Sequence, residues 1–213
     1  MKDNTSRMIS LLGKMRKQMN GAVADSMYYY GKDYGLNYGV SLPTIRSIAK
    51  EEERDHEFAL YLMRQQVREL KLAAMHIAEP AAISSDEIST WEDALINSEL
   101  AEECAFALLG HAPQLKPIFH KWCESENIYA TYAALMAMAR NTPTANELQL
   151  LPAVLQRHPD CRIITQGVIA MLDTAYHNPT LQQDVRHILE SLEPSAQSSY
   201  ITEEMEWRME LIQ

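Results

Sequence analysis

The sequence predicts an all-α protein in which antiparallel helix pairs stack into a solenoid. Apolar residues recur at three- and four-residue spacing along nearly all of the 213 residues, and alternating strand-like runs are missing. Helix start signals recur roughly every 15–18 residues, so one pair occupies about 35 residues, the spacing at which stacked pairs bury their apolar faces on their neighbours. Composition points the same way, with twelve Met against seven Gly and three Phe. Sequence identity between the units is low, so a non-repetitive helical bundle is the competing architecture.

Each element has its own signal. A first helix over 3–20 ends at Asn20-Gly21, a helix stop. An aromatic connector follows, with Tyr28, Tyr29, Tyr30, Tyr34 and Tyr38 among Gly31, Gly35 and Gly39. Ser41 and Pro43 then open a helix over 43–53: the serine side chain accepts an orphan backbone N–H, and proline costs nothing in a first turn. Helices over 55–64 and 66–78 come next, the second closed by Pro80. Ser85-Asp86 opens a helix to Asn97, and Ser98 opens another to Gly110. Further helices are expected over 113–124, 127–140, 144–157, 160–176 and 180–192, with Pro143, Pro159 and Pro179 marking starts. The stretch 193–199 reads as a linker to a last helix over 201–213, so the expected organisation is a repeat domain over 1–192 and a linker with a C-terminal helix over 193–213. That helix carries Met205, Met209 and Ile212 at i, i+4 and i+7, a stripe suited to capping its own solenoid or to docking a partner.

Composition narrows the class. No stretch approaches the roughly 20 uninterrupted apolar residues of a membrane span, and the N-terminus is amphipathic, unlike a signal peptide. Three cysteines at 104, 123 and 161, without C-x-x-C spacing, suit buried thiols in a reducing cytoplasm. Net charge is −10 and uneven: residues 1–72 hold 12 Lys and Arg against 9 Asp and Glu, whereas residues 73–213 hold 7 against 20. Phosphate neutralisation dominates nucleic-acid affinity, so any DNA contact is expected in the N-terminal third.

Motifs for common chemistries are missing. The seven histidines include no H-E-x-x-H, and no P-loop, G-x-S-x-G or G-x-G-x-x-G is present, so neither metal nor cofactor is expected. Asp173 with His177, and Asp184 with His187, read as surface ion pairs. The tyrosines of the connector can stack on bases beside Lys32, Arg46 and Lys50, or can plug the open end of the solenoid.

Two segments carry a family resemblance. Gly39-Val40-Ser41-Leu42-Pro43-Thr44-Ile45-Arg46 resembles a "Gly-Val-x-x-Pro-x-x-Arg" turn, and Arg68-Glu69 with Ala74 resembles the "Arg-Glu-x-x-x-x-Ala" helix that follows it. Together they resemble the DNA alkylation repair family of HEAT-like helical glycosylases, over about residues 20–190. The resemblance implies a HEAT-like superhelix whose concave face holds double-stranded DNA. It also implies a pocket of two Trp, an Asp and an Arg for a base made cationic by alkylation. Such a pocket makes physical sense: Trp faces attract the cation, a carboxylate stabilises the developing sugar cation, and Arg holds the phosphate.

Placed on that pattern residue by residue, the pocket is altered. Asn127-Ile128-Tyr129-Ala130-Thr131-Tyr132-Ala133-Ala134 is similar to the family's "Asn-Ile-Trp-x-x-Arg-Ala-Ala", with Tyr132 where the Arg belongs. One register of the 98–110 helix puts Ser98 and Glu102 at the Trp and Asp positions, and the other puts Leu100 and Cys104 there. Val168 or Ile169 stands where the second Trp belongs. Ser98, Leu100, Val168 and Ile169 offer no ring face to a cationic base, and Tyr132 has one neutral donor where Arg has a charged fork. The reading is therefore a divergent member that binds damaged or structured DNA without the usual excision residues, through Tyr30, Lys32, Arg46, Lys50 and Arg54. Its rivals are a glycosylase with a rearranged pocket, using Glu102 as the carboxylate and tyrosines such as Tyr132 for stacking, and a scaffold for a protein partner.

Overall fold

The computed structural model describes residues 3–30, 34–84 and 86–211; Lys32, Ser85 and Ile212 lie outside them. All regular structure among the described residues is helical, apart from one isolated bridge between Leu36 and Val67. The chain divides into two compact units, Met1–Leu108 and Leu109–Gln213.

The first unit contains α1 (Asn4–Arg16), α2 (Gly21–Tyr29), α3 (Leu42–Ala49), α4 (His56–Met63), α5 (Arg68–Ile77), α6 (Ile88–Ala94) and α7 (Ser98–Glu103), which runs into a π-helical turn (Cys104–Leu108). The hub is α5, packed against α1, α3, α4, α7 and the π turn. Every residue from Arg68 to Met75 is buried. Burying each of Leu70, Leu72, Met75 and Ile77 contributes about 2 kcal/mol, so this helix anchors the unit. Expected starts at Ser41 and Ser98 hold in outline: Ser41 accepts Thr44 N–H at 3.3 Å, and Asn97, one residue before Ser98, accepts Leu100 N–H at 3.1 Å. The 43–53 helix is shorter than expected, ending at Ala49 with Lys50 as its cap.

The aromatic connector differs from its expectation. Asn20 caps α2 by accepting Val23 N–H, so Tyr28 and Tyr29 belong to a helix and Tyr30 is its C-cap. A stop signal for one helix therefore serves as the start signal for the next, because Asn is a good acceptor at an N-cap. The expected 98–110 helix is also divided, since wider π turns take over after Glu103.

The second unit opens on a 3₁₀ turn (Leu109–His111) and continues with α8 (Leu115–Cys123), α9 (Ile128–Ala139), α10 (Ala145–Leu148), α11 (Leu151–Arg157), α12 (Arg162–Tyr176), α13 (Gln182–Ser191) and α14 (Ala196–Glu210). The expected 144–157 helix is two helices, with Pro152 in the first turn of the second, where its missing N–H leaves no gap. The last helix begins at Ala196, five residues before Ile201. Ser195 and Ser198 close a reciprocal capping box that turns the serine-rich stretch into a helix start. Ile201, Met205 and Met209 are buried where α14 packs on α12 and α13.

Helices α9 and α12 pack closely at Gly167. A Cβ there would stand 3.0 Å from Leu135 Cβ and Cδ1 and 3.3 Å from Tyr132 Cδ2. Gly167→Val is expected to cost about 2–3 kcal/mol by overpacking. Gly13→Ala, whose Cβ meets nothing within 4 Å, is expected to stabilise by about 1 kcal/mol through helix propensity. Urea unfolding of both variants checks the pair.

Candidate functional site

The family-like segments meet at the start of α5. Leu36 N–H donates to Gln66 O at 3.1 Å, and Arg68 N–H donates to Leu36 O at 3.0 Å, so segment 34–40 satisfies the first orphan donor of α5. Glu69, fully buried, accepts the N–H groups of Tyr38 and Val40, each at 3.2 Å. Arg68 lies beside it, donating from Nη1 to Val40 O at 2.8 Å and to Glu69 at 3.1 Å. Its Nε and Nη2 form a fork on Glu99 at 2.8 and 2.6 Å. Tyr34, also buried, donates its hydroxyl to Glu99. Burial and that hydrogen bond push the Tyr34 hydroxyl pKa above its ordinary value. Two glycines make the path possible. Gly35 and Gly39 have φ of +71° and +69°, a region glycine enters at no steric cost.

A second cluster lies one helical turn along α7. Glu103 accepts from Arg46 Nε at 2.9 Å and Nη2 at 2.6 Å, and also from His76 Nε2. The Glu103 side chain is 2% exposed and the Arg46 side chain 42%. Burial alone would raise the Glu103 carboxyl, but His76 and then Arg46 outweigh it and hold it at about 2. Because the folded value lies below the ordinary 4.5, this contribution is complete above pH 4.5 and lost as pH falls toward 2. We expect Glu103→Gln to lose on the order of 3 kcal/mol at pH 7 and to flatten the acid limb of the stability profile, as followed by thermal unfolding.

Sequence reasoning pointed to Glu102, which is half-buried, while Glu99 and Glu103 face α5. The missed signal was an acidic i, i+4 pair on one helix matched by Arg68 and His76 on another. Among the expected DNA contacts, Tyr30 and Lys50 are exposed and Lys32 is outside the described residues. Arg46 is engaged by Glu103, and Arg54 donates to Ala78 O at 2.9 Å. Lys50 and Arg54 flank Glu51, Glu52 and Glu53, of which the first two pair with Lys14 at 3.1 Å. Arg46 thus belongs to the Glu103 cluster. Lys17 and Arg64 are exposed with no ion pair among the described residues, and both were missed for want of a motif.

Of the pocket positions in the first unit, Leu100 and Cys104 are fully enclosed in its core, and Ser98 is half-buried in the first turn of α7. Burial pushes the Cys104 thiol pKa up, which keeps it a neutral packing group. In the second unit Val168 is fully buried and Tyr132 and Ile169 nearly so. His177 Nδ1 stands 4.0 Å from Asp173, whose nearer partner is Arg208 at 3.2 Å. No group of three or more His, Cys, Asp or Glu among the described residues is placed to hold a metal ion, and no described helix is long and apolar enough to cross a membrane.

A family model described as "DNA alkylation repair enzyme" matches residues 11–170, most of the chain. No curated protein matches the chain significantly. A solved structure described as "A new family of proteins related to the HEAT-like repeat DNA glycosylases with affinity for branched DNA structures" superposes with a TM-score of 0.69 at 15% identity. The match covers 96% of this chain and 94% of that one. The fold is thus HEAT-like, and the chain belongs to the DNA alkylation repair family.

Proposed function

We propose that this DNA alkylation repair family protein binds structured DNA, such as branched DNA, through backbone contacts from its first unit and does not excise bases. The observation that carries this reading is the burial of Leu100, Cys104 and Val168. These three positions, which the resemblance assigns to a lesion pocket, are occupied by packing side chains that offer no ring face to a cationic base. An ionised carboxylate is available at Glu103, but it is enclosed and its charge is answered by Arg46 and His76. Affinity for DNA then rests on the exposed cations of the basic N-terminal third. The solved structure of like fold is described as having affinity for branched DNA, and a shape-reading mode suits a chain without base-reading chemistry.

Charge reversal tests the reading. A Lys17→Glu, Lys50→Glu, Arg64→Glu variant is expected to bind a fluorescent four-way junction at least tenfold more weakly than the parent. Its log K against log salt slope should be shallower by up to about one per lost phosphate contact. An unchanged affinity and slope in the folded variant would contradict the proposal.

A further inference from the structure

The outward face of α14 carries a second stripe that the packing of the unit leaves open. Tyr200, Trp207 and Leu211 stand at i, i+7 and i+11, within about 40° of one another at the helical rotation of about 100° per residue. All three are exposed, Trp207 at 58%, opposite the buried Ile201, Met205 and Met209. Charge around the stripe is one-sided. On one flank Arg208 is compensated, donating to Glu204 at 2.9 Å and to Asp173 at 3.2 Å. On the other, Glu203, Glu206 and Glu210 are in no ion pair among the described residues.

We infer that this face of α14 docks a basic amphipathic helical segment of a partner protein. Its apolar residues would cover Tyr200, Trp207 and Leu211, and its Lys or Arg side chains would answer the three free carboxylates. Burying a large aromatic side chain in an apolar contact is the strongest anchor a helix face offers, and cations also gain from the Trp ring. The carboxylates exclude DNA as the occupant, since they repel phosphate. They also disfavour a second copy of the same face, which would set like charges against each other. The inference is independent of the DNA-binding reading.

Trp207 supplies the readout, because Trp91 and Trp122 are both buried. The probe is a synthetic helical peptide of roughly 18 residues with leucines at i, i+3, i+4 and i+7 spacing and lysines along one flank. It is compared with the same peptide carrying glutamates in place of the lysines. Titrated into the full chain, the lysine peptide is expected to give a saturable blue shift of Trp207 emission that weakens with added salt, and the glutamate peptide none. A Glu203→Lys, Glu206→Lys, Glu210→Lys variant should lose at least tenfold in affinity for the lysine peptide and gain affinity for the glutamate peptide. Trp207→Ser, followed by anisotropy of a labelled lysine peptide, should lose binding while the far-ultraviolet circular dichroism is kept. Equal binding of both peptides, or lysine-peptide binding unaffected by both variants, would overturn the inference. So would self-association of the free chain that already buries Trp207, seen in sedimentation.

Discussion

Arg68→Met is expected to destabilise the first unit by about 3–5 kcal/mol, the cost of removing one partner from a buried ion pair. The guanidinium satisfies four acceptor positions at once: two on Glu99, one on Glu69 and the Val40 carbonyl. Methionine fills similar volume but removes the guanidinium fork from Glu99, and strips Glu69 of its one charged donor among the described residues. Arg68→Lys should recover little, since one ammonium cannot reproduce a planar fork on Glu99 while also reaching Val40 O. Urea unfolding of the two variants gives the comparison. A loss below 1 kcal/mol in Arg68→Met would mean that apolar packing alone holds segment 34–40 on α5.

Gly39→Ala is the second large effect expected. A Cβ at this position would stand 2.0 Å from Asn20 O and 2.8 Å from Ala24 N, both backbone atoms that cannot rotate away. The left-handed φ of +69° adds strain of about 1–2 kcal/mol for any L side chain. The total is expected to be about 3 kcal/mol or more, with the Asn20 N–H to Tyr38 O contact (2.8 Å) broken first. Hydrogen exchange at Asn20, Tyr38 and Val40 should accelerate in the variant well before exchange in α5 does. Unchanged protection at those three amides would show that α2 can shift to admit the methyl group.

These two residues show what was legible in the sequence and what was not. The Gly39 to Arg46 turn and the Arg68-Glu69 pair were recognisable as words, and their helix starts followed from Ser41 and Pro43 by local chemistry. Their roles were not recognisable, because each depends on a partner far along the chain: Arg46 on Glu103, 57 residues on, and Arg68 on Glu99, 31 residues on. A local reading assigns an arginine beside a turn to phosphate. In the fold Arg46 and Arg68 each hold a carboxylate of α7. The register of 98–110 was ambiguous for a related reason. The π turn over Cys104–Leu108 breaks the 3.6-residue period on which any counting from Ser98 or Gly110 relies.

Elsewhere the local signals carried further. The helix expected over 127–140 is α9, with Asn127 as its cap accepting Tyr129 N–H at 2.9 Å. The Asn20 and Ser195 signals were visible, but each was assigned to the wrong side of a boundary: one as a stop instead of a start, the other inside a linker. Both residues accept backbone N–H groups of the helix that follows them. Burial at the pocket positions was half legible. Leu100, Cys104 and Val168 are apolar types that favour interiors, and they stand where the resemblance places a Trp, an Asp and a second Trp.

The most direct test of DNA binding without excision uses the parent chain on three DNAs: a four-way junction, a plain duplex, and a duplex carrying 7-methylguanine. Binding to each is measured across a salt series, and free base is quantified after prolonged incubation with the methylated duplex. The account predicts salt-sensitive binding, preference for the junction over both duplexes, and base release no faster than in the absence of protein. Absence of binding at low salt, or release of 7-methylguanine above that background, would contradict it.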